Sequence, residues 1–83
     1  MPMVASMPTK ADGPAIRRLR ENKGLSIPQL ADLCQLDRVS IYRIETGMRH
    51  GNDASRLRIA QALGVELSDI SYFVPPQRNK AAA

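Results

Sequence analysis

From residue 14 to residue 74 the apolar positions recur at helical spacing, in five runs separated by short polar connections. Pro14 opens the first run, where its missing N–H costs nothing. Ile16, Leu19, Arg20 and Lys23 share one face of it, and Gly24 ends it. The second run starts at Ser26, where Ser26-Ile27-Pro28-Gln29 spells a capping box, and turns Leu30, Ala31 and Cys34 inward. Asp37 is a good N-cap for a third helix, Arg38 to Thr46, closed by Gly47. After the loop Met48-Arg49-His50-Gly51, Asn52 caps a fourth, Asp53 to Leu63, with Leu57, Ala60 and Leu63 expected inside and Gly64 at its end. Val65 and Leu67 lead to a short fifth helix capped by Ser68, with Ile70, Phe73 and Val74 as its apolar side. No segment alternates with period two, so the expected fold is all-α.

The ends lack such a period. Residues 1–13, MPMVASMPTKADG, read as a flexible arm in which Met1, Met3 and Met7 are each possible starts. Residues 75–83 read as a disordered tail, opened by Pro75-Pro76, which cannot continue a helix. One domain, 14–74, remains. A unit this small buries only about 60% of its unfolded surface, so its helices must pack efficiently.

With 4% aromatic residues and no Trp, aliphatic side chains and Ala must build that core. A single Cys and a single His can form neither a disulfide nor a four-ligand zinc site, so no metal and no cofactor are expected. The lone Cys34 suits a reducing compartment and is read as core, which points to the cytoplasm. No apolar run approaches the roughly 18 residues of a membrane span. The net charge is +4, but without Lys10, Asp12, Arg78 and Lys80 the folded part carries nine basic and seven acidic residues. A polyanionic partner is allowed, and the placement of charge matters more than its amount. Nothing pairs a nucleophile with a base or cradles a phosphate in a Gly-rich loop, so the chain is not read as an enzyme.

The informative stretch is Leu25 to Gly47, two short helices joined by a tight turn. With Leu25, Ser26, Leu30, Ala31, Ile41, Ile44, Glu45 and Gly47 in uninterrupted register, it resembles the Cro/cI-type (Xre) helix-turn-helix family. Ile16 to Arg20 and Ile59 to Val65 resemble that family's first and fourth helices. The resemblance implies a five-helix, lambda-repressor-like domain whose third helix reads the major groove of double-stranded DNA. It further implies a homodimer on a palindromic operator and a transcriptional regulator, more readily a repressor. The competing reading is an antitoxin or accessory interaction module of a phage, plasmid or toxin–antitoxin operon.

Helical geometry sets Ile41, Ile44 and Glu45 on one side of the third helix, Val39 and Arg43 opposite, Tyr42 at the flank and Arg38 at the tip. By resemblance, Arg38 and Val39 read base edges, while Ser40 and Arg43 meet bases or phosphates. Arg suits guanine O6 and N7, and Val suits a thymine methyl. Tyr42 belongs with the base readers, donates to a phosphate, or packs on the second helix. Arg49, His50 and Asn52 resemble a phosphate clamp, and Arg17 lies within reach of the backbone. Two positions depart from the family. Ile27 replaces a phosphate-contacting Gln, which leaves Ser26 and the N–H groups of the helix end for a phosphate. Gln35 stands where the turn usually has Gly, and a positive φ there would cost about 1–2 kcal/mol. Arg20 and Glu45, charged residues on apolar stripes, are implied to pair beneath the motif.

Overall fold

A computed structural model of the protein describes residues 9–73. In chain order they form strand β1 (Thr9–Ala11), helices α1 (Gly13–Asn22), α2 (Ile27–Cys34), α3 (Arg38–Glu45) and α4 (Asp53–Leu63), a 3-10 turn (Leu67–Ile70) and strand β2 (Ser71–Phe73). Each α-helix begins at a side chain that satisfies an otherwise orphaned N–H. Asp12 accepts from the N–H of Ala15 at 3.2 Å, Asp37 from Ser40 at 3.1 Å and Asn52 from Ser55 at 2.8 Å. At α2 the capping box is complete: Ser26 Oγ accepts from the N–H of Gln29 at 3.1 Å, and Gln29 Oε1 accepts from that of Ser26 at 2.8 Å.

Four expectations change. The fold is mostly helical rather than all-α, because β1 and β2 pair antiparallel with Thr9 opposite Phe73 and Ala11 opposite Ser71. The last residues of the expected arm are therefore structured, and Asp12 rather than Pro14 starts α1. The fifth helix is a single 3-10 turn, closed by the Asp69 carboxylate accepting from the N–H of Glu66 at 3.0 Å, with Ser68 inside it. It stops at Ile70 because the next three residues must run extended to pair with β1. In α4, Leu57 is exposed, and the inward residues are Arg56, Ile59, Ala60 and Leu63. That is the i, i+3, i+4, i+7 stripe of a helix with a charge at its head. Val74, expected on the apolar side of the fifth helix, and the expected tail, residues 75–83, lie outside the described residues.

The core gathers Ile16 from α1, Leu30, Ala31 and Cys34 from α2, Ile41 and Ile44 from α3, Ile59, Ala60 and Leu63 from α4, and Ile70. Cys34 is 1% exposed, and desolvation pushes its thiol up to about 11, so it is an inert core group at neutral pH. No helix among the described residues is long and apolar enough to cross a membrane.

Under the α2–α3 pair lies an ion pair. The Arg20 guanidinium grips the Glu45 carboxylate with two parallel bonds, Nε to Oε2 at 2.7 Å and Nη2 to Oε1 at 2.9 Å. Its Nη1 donates to the Leu25 carbonyl at 2.9 Å, so one side chain joins α1, the end of α3 and the entry to α2. The hydrogen bond to Glu45 outweighs desolvation and raises the pKa of Arg20 further. Gly13 completes the junction. A Cβ there would stand 2.6 Å from the Ile44 carbonyl oxygen and closer still to that of Glu45, so only glycine lets α1 begin against the end of α3.

Both partners of this pair are 8% exposed, so removing one strands the other. Arg20→Met and Glu45→Leu are each expected to cost about 3–5 kcal/mol in chemical denaturation. The double variant should lose much less than the sum, since two apolar groups replace two charges. Small losses that simply add would show that the contact contributes no more than a surface ion pair.

Candidate nucleic-acid interface

The turn between α2 and α3 sets how the second helix crosses the first. Gln35 takes a left-handed conformation, φ 60° and ψ 41°, and the N–H of Leu36 reaches back to the Ala31 carbonyl at 3.0 Å. This is the hydrogen-bonding pattern of a Schellman end, usually built on glycine. Among the described residues Gln35 is the one non-glycine with positive φ. With Ile41, Ile44 and Glu45 buried, α3 turns Arg38, Val39, Tyr42 and Arg43 to solvent. Half of the Val39 and Tyr42 surface is open, at 50% and 51%.

Val39, Tyr42 and Arg38 line a shallow cleft with Ile27 and Pro28 of α2. Ile27 therefore presents an apolar wall beside α3 where a polar side chain was the family's choice. The N-terminus of α2 has little left to offer an anion. Pro28 has no N–H, and those of Gln29 and Leu30 are taken by Ser26, through Oγ and the backbone carbonyl. The Ile27 N–H and the Ser26 hydroxyl proton remain. At the tip of α3, hydrogen bonds from Ser40, first its hydroxyl and then its N–H, hold the Asp37 carboxyl below the usual range. The Ser40 N–H is thus engaged with the cap, 3.1 Å from Asp37 Oδ1.

At the other end of α3 the N–H groups of Met48 and Arg49 both donate to the Arg43 carbonyl, at 2.8 and 3.2 Å. This draws the loop back onto the helix and sets Arg49 beside Arg43. Arg49 and Asn52 are exposed; His50 is half-buried, with its Nδ1 enclosed and unpartnered. Arg17 stands apart, exposed and paired with Glu21 one turn on at 3.1 Å. The structure so brings Arg38, Val39, Tyr42 and Arg43 onto one open face, with Ser26 and Ile27 at one side and Arg49 beyond its end. Sequence reasoning missed Arg56, which is 4% exposed and lies beneath the loop. Its spacing from Ile59, Ala60 and Leu63 was the available signal.

The model of a helix-turn-helix domain family matches residues 13–73. Among known proteins, a described HTH-type transcriptional regulatory protein of Methanothermobacter thermautotrophicus is 30% identical over 70 residues, covering 83% of this chain and 22% of that protein. The chain spans about a fifth of the length of the curated relatives it matches, 22% and 21%. Among solved structures, the restriction-modification controller protein C.AhdI of Aeromonas hydrophila is 38% identical, with a TM-score of 0.67 over 69% of this chain and 86% of that one. A hypothetical transcription factor of Neisseria, NHTF, is 28% identical, with a TM-score of 0.69 over 92% and 91%.

The turn yields a stability prediction of known sign. Gly at position 35 removes strain of about 1–2 kcal/mol but adds about 0.4–1 kcal/mol of unfolded-state entropy. Gln35→Gly should therefore gain about 0.5–1 kcal/mol, a rise of several degrees in Tm by calorimetry, while Gln35→Val should lower it. A Tm lowered by glycine would mean that Gln35 makes a compensating interaction in the turn.

Proposed function

The chain belongs to the helix-turn-helix domain family, and on that premise we propose that it is a sequence-specific, double-stranded-DNA-binding transcriptional regulator that reads the major groove with α3. One observation carries the reading. The face of α3 turned away from the core bears Arg38, Val39, Tyr42 and Arg43 without an intramolecular cover, beside the N-terminus of α2 and the loop that carries Arg49. An eight-residue helix is marginal alone. Here it is held rigid from beneath, which leaves its outer side chains free for a partner. In this reading Arg38 donates its fork to guanine, Tyr42 reads alongside it, and the apolar cleft of Val39, Ile27 and Pro28 receives a thymine methyl. The Ile27 N–H, the Ser26 and Ser40 hydroxyls, Arg49, His50 and Asn52 meet phosphates, with Arg17 joining after release from Glu21. Arg43 serves either class. The regulator acts as a homodimer on a palindromic operator in the cytoplasm, and represses by occupying it.

The assignment separates two kinds of residue. Arg38→Ala and Val39→Ala should flatten preference at one or two operator positions, by about 1–3 kcal/mol each. Substituting deoxyuridine for the contacted thymine should mimic Val39→Ala. Arg49→Ala should weaken every duplex alike and lower the log–log salt slope by about one. A panel of single-substitution operators at two salt concentrations measures both. If Arg38→Ala preserves every preference while all affinities fall together, α3 does not read bases from its tip.

A further inference from the structure

Arg56 occupies a place on α4 that the helical period reserves for an apolar residue. Its guanidinium is spread over three segments. Nη1 donates to the carbonyls of His50 and Gly51 at 3.4 and 3.2 Å. Nη2 donates to Thr9 Oγ1 of β1 at 2.9 Å and to the Asp53 carboxylate at 2.5 Å. Nε is buried with no partner. An arginine with 5% of its side chain exposed, partnered by a carboxylate that is 88% exposed, is a costly way to fill an inner position.

The cost has a structural product. The loop from Met48 to Asn52 is tied at its start, where the N–H groups of Met48 and Arg49 meet the Arg43 carbonyl, and at its end, where Arg56 holds the carbonyls of His50 and Gly51. Gly51, at φ 72°, lies over Ile44 with room for a Cβ only 3.3 Å from Ile44 Cδ1, so the tied end also rests on the core of α3. Between the two ties the side chain of Arg49 projects into solvent, and Asn52 follows as the cap of α4. Through Thr9 the same guanidinium reaches the terminal sheet, 47 residues away in sequence.

We propose that Arg56 is a positioning residue for phosphate contact, which couples the β1–β2 sheet to the loop carrying Arg49 and Asn52. It touches no DNA itself; it fixes the backbone from which the phosphate-contacting groups extend, and Thr9 makes that fixation depend on β1 being paired. The proposal rests on the DNA-binding reading above.

Arg56→Leu in the full chain is the deciding variant, because Leu suits the apolar stripe and removes only the ties. On a footprinted duplex it should remain folded by circular dichroism, bind about tenfold more weakly and lose about one unit of log–log salt slope. Adding Arg49→Ala to it should change affinity less than twofold, since the contact is already lost. Thr9→Val keeps a strand-forming side chain and removes one acceptor; it should shift affinity two- to threefold in the same direction and speed amide exchange at Arg49 to Asn52 in the free protein. A folded Arg56→Leu protein with wild-type affinity and slope overturns the coupling. If that variant does not fold, Thr9→Val decides: unchanged affinity, slope and loop exchange overturn it. Wild-type protein that binds no duplex overturns the DNA reading instead, and loop exchange in Thr9→Val then decides the pinning alone.

Discussion

The two parallel hydrogen bonds between Arg20 and Glu45 carry a burden that hydrophobic contact alone does not meet. Ile16, Ile41 and Ile44 bury α1 against α3, but aliphatic packing is non-directional and tolerates small slides and rotations. A bidentate guanidinium–carboxylate contact does not. It fixes the rotation of α3 about its own axis, and the third bond, to the Leu25 carbonyl, fixes where the chain enters α2. Gly13 adds a distance to that orientation by letting the start of α1 approach the last carbonyls of α3. With the buried side of α3 determined, its outer side is determined too. Which residues are offered to a partner is thus decided at a buried junction that itself touches none.

Much of this was legible in the sequence because it is written in local chemistry. Ser26, Asp37 and Asn52 announce helix starts through the hydrogen bonds their side chains can make within three residues, and Gly64 takes the left-handed cap that only glycine adopts freely. The exposed side of α3 followed from the 100° step and its buried isoleucines. Three features were hidden for physical reasons. The strands are three residues long, too short for alternation to register, and their partners are set at opposite ends of the domain. The last helical segment is limited by that pairing, not by its own residues. In α4 the charge of Arg56 argued for solvent, while its angular position argued for the interior. Geometry prevailed because two loop carbonyls, a hydroxyl and the Asp53 carboxylate were there to accept its hydrogen bonds.

The interface itself is frugal. The N-terminus of α2 spends two of its N–H donors on its own cap, and the tip of α3 holds the Asp37 carboxylate, bonded by the Ser40 N–H. On the proposed reading few groups are therefore left to carry phosphate contact, and Arg49 sits in a loop held by bonds at both ends. The outer face of α3 is mixed: forked donors on Arg38 and Arg43, a phenol on Tyr42, and an apolar recess between Ile27 and Val39. On the proposed reading, such a surface discriminates by shape and methyl contact as well as by hydrogen bonding.

The central claim, that α3 is the element presented to DNA, is tested most directly by titrating the isotope-labelled protein with a footprinted duplex and following its backbone amides. The account predicts that the largest changes fall at residues 38–43, with Ser26, Ile27 and residues 48–52 next, and that the 3-10 turn Leu67–Ile70 barely moves. The largest changes on that turn and on β2, with α3 unmoved, would contradict it and place the binding face at the sheet.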